Sequence, residues 1–196
     1  MILRNFDAVV MNLDSRPERW EEVQKEIPKI GITNIQRFSA LPGGNAGFSA
    51  SHLLCIMGTG LRFIFEDDVY FEDNALEVFN KAIEQLPDNF DMFYLGANVK
   101  TPAIRYSENL YQVTGGVHTT HAILFSDHAR KFIVENYDPR NHNIIDEWYH
   151  REGLQAMNCF VCFPMIAFQR GCYSDLRLQY FDYREEMLEN AKNNMI

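Results

Sequence analysis

No apolar run in these 196 residues approaches the roughly 20 needed to cross a bilayer, and the first residues lack the charged-then-apolar form of a signal peptide. No transmembrane segment and a cytoplasmic setting are therefore expected. A basic stripe is missing too: 18 Lys and Arg stand against 27 Asp and Glu, a net charge of −9. That balance argues against nucleic acid as a partner, while leaving room for a local basic pocket that binds a phosphorylated ligand. Cysteine is scarce. Cys159 and Cys162 have CxxC spacing but lie in an apolar run, and with only Cys55 and Cys172 besides, no second pair completes a zinc site. Buried, reduced thiols are the expectation. Repeats, low-complexity segments, linkers and a P-loop or kinase signature are all absent, which removes the phosphotransferase reading. What is present is 46% hydrophobic and 13% aromatic residues, enough for one domain with a substantial core.

The chain is organised around Arg62-Phe-Ile-Phe-Glu-Asp-Asp-Val-Tyr70. Its short apolar run reads as a buried strand of a parallel sheet, and three carboxylates follow at once. Ligands of open α/β sheets bind at the carboxyl ends of strands. Carboxylates crowded there repel one another, and a hard cation such as Mg²⁺ or Mn²⁺ relieves that cost. A solvated acidic loop capping the next helix is the competing reading.

Before this stretch, Phe6–Leu13 reads as a first strand, and Ser15 with Glu18 forms a capping box for a helix bearing Trp20, Val23 and Ile27 on one face. Ile35–Ala40 is a second strand, closed by Pro42-Gly43-Gly44, and a short helix runs from Gly47 to Met57. After it, Asn74 and Glu77 form another capping box, with Leu76, Phe79, Ile83 and Leu86 at helical spacing, and Asp91–Leu95 is a strand. Strands and helices alternate so far, as in a parallel sheet with helices on its faces. Later, Leu110–Val113, Thr120–Ser126, Phe160–Phe163 and Met165–Phe168 read as strands. Asp127 caps a helix to Asn136, Asn141–Arg151 holds a short helix, and Arg184–Ile196 is a polar tail, helical or frayed. The expected organisation is one domain over residues 1–196. Its nucleotide-binding-like half runs to about residue 100, its acceptor-like half covers about 101–183, and a tail follows over 184–196.

Several segments resemble glycosyltransferase family 25, the lipopolysaccharide-type and procollagen galactosyltransferases, in the same order. Val10-Met-Asn-Leu-Asp-Ser-Arg-Pro-Glu-Arg19 is similar to the opening strand and turn; Gly47 with Ser51-His52 to the glycine-rich, serine-histidine motif; Phe65-Glu-Asp-Asp-Val69 to the acidic motif. Asp91 to Gly96, Thr120-His121-Ala122, Ile145-Asp146, and Pro164 with Gln169 and Ser174-Asp175 continue the series. Two departures stand out: Phe48 lies where the family has a cysteine, and the segment from His52 to Glu66 is shorter.

The resemblance implies an α/β, GT-A-like Rossmann-type sandwich with a mixed, mostly parallel sheet and helices on both faces. It also implies a metal-dependent, inverting hexosyltransferase. The donor would be a nucleotide-diphosphate sugar, a UDP-hexose carrying galactose or glucose. The acceptor would be a hydroxyl of a glycan or glycoconjugate. On this reading Glu66 and Asp68, with Asp175 late in the chain, hold Mn²⁺ or Mg²⁺ against the donor's pyrophosphate. Asp67 shares the donor site with Asn12, Leu13, Arg16, Ser39, Ala40, Ser51 and His52. Asp146 is the general base. Plain alternatives stay open: Asn12 tying off its strand, Arg19 in place of Arg16, His52 as a core histidine, His118 and His121 as structural, Asp175 as a loop aspartate, Asp146 as a helix cap. The rival from another class is a non-catalytic domain that binds a nucleotide sugar or glycan within a larger assembly.

Overall fold

The apolar run Ala8-Val9-Val10-Met11 builds the first strand, β1 (Asp7–Asn12), in a computed structural model that describes residues 6–58, 60–174 and 179–195. After it come α1 (Pro17–Glu26), a 3-10 turn at Ile27–Ile30, β2 (Ile35–Ser39), α2 (Gly44–Ile56), β3 (Arg62–Glu66), β4 (Val69–Phe71) and α3 (Ala75–Gln85). The middle of the chain gives β5 (Met92–Tyr94), β6 (Asn98–Val99), β7 (Ile104–Arg105), β8 (Leu110–Val113), β9 (Val117–His118), β10 (Ala122–Phe125), α4 (Asp127–Asn136) and α5 (Ile145–Arg151). The last elements are β11 (Cys159–Cys162), β12 (Ala167–Gln169), β13 (Cys172–Ser174), β14 (Gln179–Phe181) and α6 (Arg184–Asn194).

An 8-stranded sheet runs in the order β2-β1-β3-β10-β5-β11-β8-β7. β1, β2, β3, β5, β7 and β11 share one direction, and β8 and β10 oppose them. β3 therefore has one parallel neighbour, β1, and one antiparallel neighbour, β10. Alternate side chains leave opposite faces of a strand, so each strand feeds two cores. Val9, Met11, Ile64, Tyr94 and Phe125 pack with residues of α2, α4, α5 and α6. Ala8, Val10, Phe63, Phe65 and Leu124 pack with Val23 of α1, Ile27 and Ile30, and Val78, Phe79 and Ala82 of α3. This is the expected α/β architecture: a mixed, mostly parallel sheet with helices on both faces. No described helix is long and apolar enough to cross a membrane. Among the described cysteines, Cys55, Cys159 and Cys162 are free and buried; burial pushes the Cys55 thiol up to about 12.

The structure corrects several local expectations. Neither capping box forms. Arg16 is the residue at the head of α1, because Arg16 N donates to Leu13 O and tightens the turn, and Pro17 enters the helix with no N–H to satisfy. Asn74 heads α3 without a side-chain cap, and the Ala75 amide uses Glu72 O instead. Ser126, not Asp127, caps α4 by accepting from Ala129 N. Leu76 is exposed, and the buried face of α3 is Ala75, Val78, Phe79 and Ala82. α2 begins at Gly44, one turn before the expected Gly47. Gly47 lies inside it, where a Cβ would collide with the carbonyls of Leu41 and Pro42. The expected tail is a docked helix: Met187 and Ala191 within α6, and Met195 just beyond its end, are buried. Asn190 Nδ2 donates to Asn98 Oδ1 at 2.7 Å and Asn194 Nδ2 to Val99 O at 2.9 Å, which fastens α6 to β6.

Candidate functional site

β1 and β3 run side by side in register, Met11 opposite Glu66, so both strands end at the same level. A cleft of about 750 Å³ opens there. Leu13, Arg19, Ala40 to Gly44, Phe48, Ser51 and the Glu66–Asp68 turn line one part of it. Lys100, His118 to Thr120, Asp146, Glu147 and Gln169 come from the second half, and Tyr183 and Glu186 from the start of α6.

The three carboxylates have different partners. Asp67 is built into the scaffold: Asn12 Nδ2 donates to Oδ2 at 2.7 Å and Arg19 Nη1 to Oδ1 at 3.1 Å. Glu66 accepts from Thr120 Oγ1 at 2.7 Å, and its amide is held by His121 O. Desolvation first, and the Asp68 charge second, push Glu66 up to about 8; Asp146 and Asp67 add to the effect. Desolvation and then Asp67 push Asp68 up to about 6, against the lowering effect of Arg19, whose Nη1 lies 3.8 Å away, and of Gln169.

Glu66 and Asp68, both half-buried, repel each other and offer hard oxygen donors, the chemistry that suits a divalent cation of the Mg²⁺ or Mn²⁺ type. Among the described residues no three His, Cys, Asp or Glu side chains gather closely enough to hold an ion by themselves. Asp175, the other expected ligand, lies outside the described residues. Glu66 and Asp68 thus fit a metal as a partial ligand set.

Leu13, Ala40, Ser51 and Asp67 of the expected donor site line the cleft. Ser51 is also a staple: its hydroxyl donates to Gly47 O at 2.7 Å and accepts from Leu41 N at 2.8 Å, pinning the loop before α2 to the helix. Asn12, Arg16, Ser39 and His52 stand outside the lining. Asn12 is buried and ties the strand end: it donates to Arg16 O and Asp67 and accepts from Arg37 Nε at 2.8 Å. Ser39 Oγ donates to Asp14 Oδ2 at 2.8 Å, and Arg37 Nη2 reaches Asp14 at 2.7 Å; these two contacts hold the Asp14 carboxyl below its ordinary range. Arg16 Nη1 lies 3.6 Å from Glu18. Of the two arginines considered, Arg19 is the one in the cleft. His52 is fully buried beneath α5, with Tyr149 Oη 3.2 Å from Nε2.

Asp146 lines the cleft from the first turn of α5. It does not cap: the helix is headed by Ile144 with no side-chain cap, and Ser49 Oγ accepts from Ile145 N at 3.0 Å. His118 Nδ1 stands 3.8 Å from Asp146 Oδ2. Glu147 is turned to Arg151, 2.6 Å away. His121 is buried, with Nε2 donating to Ala167 O at 3.1 Å.

Sequence reasoning gave no role to Lys100, Thr119 or Thr120, although Thr120 belongs to one of the resembling segments. Lys100 directly follows β6, a two-residue strand outside the main sheet, so the strand-end logic that marked Glu66 does not reach it. Thr119, a β-branched residue at φ 77, carries no signal in the sequence, nor does the bond of Thr120 to a carboxylate 54 positions away.

The sheet order and the cleft at its strand ends define a Rossmann-type α/β protein with an acidic crevice. No protein-family model matches the chain, and no curated protein matches it. Solved structures do. A mannose-1-phosphate geranyltransferase from Thermus thermophilus aligns with TM-score 0.53 and 12% identity over 83% of this chain and 75% of its own. A putative glucose-1-phosphate thymidylyltransferase from Bacillus anthracis gives 0.44 and 11% over 86% and 72%. A glycosyltransferase involved in the glycosylation of the major capsid of PBCV-1 gives 0.41 and 11% over 82% and 95%. At these identities the first likeness is one of fold, and nothing among the three is specific to glycosyltransferase family 25.

Proposed function

We propose that the chain is an inverting, metal-dependent glycosyltransferase of GT-A type that moves a hexose from a nucleotide-diphosphate sugar, UDP-glucose or UDP-galactose, to a hydroxyl of a glycan or glycoconjugate. The observation that carries this reading is one cleft lined both by Glu66 and Asp68 at a strand end and by Asp146 from a distant helix. Glu66 and Asp68 would hold Mn²⁺ or Mg²⁺, which supplies Lewis-acid stabilisation to the departing diphosphate. Arg19, fixed by Asp67, adds a guanidinium beside that charge. Asp146 accepts the proton of the attacking hydroxyl as its oxygen bonds to the anomeric carbon. The bond from that carbon to the diphosphate breaks on the opposite face, and the diphosphate leaves with the electron pair. The fold is shared with an enzyme whose name refers to a sugar phosphate, which supports a ligand of that chemical class.

The test is release of nucleoside diphosphate from a panel of nucleotide sugars, with and without Mn²⁺. Release that needs the metal and falls in Asp68→Ala supports the reading. Metal-independent UDP binding with no release from any sugar favours the non-catalytic domain. Pyrophosphate release from a nucleoside triphosphate and a sugar 1-phosphate would assign the cleft to nucleotidyl transfer.

A further inference from the structure

Asp146 has a neighbour whose placement depends on three separate elements. His118 closes β9, a two-residue strand paired with β6, where it stands opposite Asn98. One side of its ring faces Asp146, with Nδ1 3.8 Å from Oδ2. The other side lies on His150, one turn further along α5, with ring centroids 4.0 Å apart and planes 27° from parallel. The backbone locks the same arrangement: Gly116 N donates to His150 O at 3.2 Å, and Lys100 N to Gly116 O at 2.7 Å. Directly after His118 comes Thr119 at φ 77, a conformation costly for a β-branched residue. Thr120 then bonds Glu66. One short stretch therefore reaches both Asp146 and the acidic turn.

We propose that His118 is a positioning residue for Asp146, an inference that rests on Asp146 being the base of the proposed transfer. Nδ1, 3.8 Å from Oδ2, would close on that oxygen as an N–H donor in the reacting complex and leave the other oxygen to take the acceptor's proton. Bonds of this kind are commonly long without substrate and shorten in the reacting complex. His150 fixes the plane of the His118 ring by stacking. Burial, with the adjoining imidazole as a second cause, holds His150 below its ordinary value, which keeps it neutral under its neighbour. The same logic lets a carboxylate and an imidazole orient each other in hydrolase triads, although here the roles are exchanged.

Two substitutions separate the nitrogens, because an asparagine amide overlays Nδ1 and a glutamine amide overlays Nε2. The probe is UDP release from UDP-glucose or UDP-galactose with Mn²⁺. His118→Gln is expected to lower kcat about a hundredfold with the donor KM unchanged, and His118→Asn to lose less than about tenfold. Equal losses in the two variants, or none in either, overturn the proposal. A second readout does not depend on turnover. In ¹H–¹⁵N correlation of the imidazoles, with the His118 signals identified by their loss in His118→Asn, Nδ1 should be protonated and should move in Asp146→Asn. An unprotonated Nδ1, or ring signals indifferent to Asp146→Asn, sinks the pairing even if the parent turns over. A parent that releases no diphosphate while the pairing is seen would refute the transferase reading alone.

Discussion

Asp146 and Glu147 are neighbours in the chain, yet their surroundings assign them different work. Asp146 looks into the cleft beside His118, whereas Glu147, although it reaches the same cleft, is paired with Arg151 at 2.6 Å. Asp146→Asn should therefore slow transfer about a hundredfold or more while leaving UDP-sugar affinity intact, and Glu147→Gln should change the rate only a few-fold. Steady-state rates with a binding isotherm for each variant decide this; comparable losses would remove the distinction. Asn12 shows the same contrast between a plausible site residue and a structural one. Its side chain makes three hydrogen bonds and holds Asp67. Asn12→Ala should cost roughly 2–4 kcal/mol in urea unfolding, because it leaves a buried carboxylate and a guanidinium short of partners. Unaltered stability with weakened UDP binding would return Asn12 to the donor site.

At the scale of elements, what is legible in the sequence is what depends on neighbours in the chain. β1 and β3 are short apolar runs ending in polar residues, and both are readable from that pattern alone. The position of Glu66–Asp68 at a strand end follows from the same run. The helix caps are not readable in this way, because a turn of three or four residues, such as Leu13 to Arg16, settles which residue heads the helix, and the motif spacing does not encode that turn. α6 does not read as part of the core. Its sequence is rich in charge, and its anchors are Asn98 and Val99, about ninety positions away. Met187 is the decisive side chain, fully buried among residues of the sheet and of the other helices on that face. Met187→Ala should therefore destabilise the protein by about 2–4 kcal/mol, the usual cost of emptying a large buried site. Thermal or chemical unfolding measures it, and a cost under about 0.5 kcal/mol would mean α6 is not part of the cooperative unit. Because Tyr183 and Glu186 bring α6 to the cleft, the same variant should also weaken substrate binding.

The molecule as a whole holds desolvated groups that respond to acid in opposite senses, and His52 allows one of them to be isolated. Burial lowers His52 from an ordinary value near 6.5 to about 4, against a smaller raising effect from Asp146. Its ring lies against Tyr149, Phe125 and Phe48, and of these Phe48 alone lines the cleft. The unfolded chain therefore takes up this proton first. The stability due to a neutral His52 is fully present above about pH 6.5 and is lost as pH falls towards 4. Glu66 and Asp68, both raised, work the other way: they penalise the fold as pH rises through the same range, so the parent's profile alone does not reveal the histidine. The difference between the parent and His52→Gln does, since the carboxylates are common to both and glutamine can still meet Tyr149 Oη. Measured by denaturant unfolding at pH 7, 6, 5 and 4, that difference should shift in favour of the glutamine variant by roughly 3 kcal/mol over the series. UDP affinity at pH 7 should be little altered, because His52 is buried beneath α5 and is not among the residues that line the cleft. A difference that stays constant with pH would show that His52 is not held neutral. A loss of UDP binding at pH 7 without loss of stability would place it back among the donor-site residues.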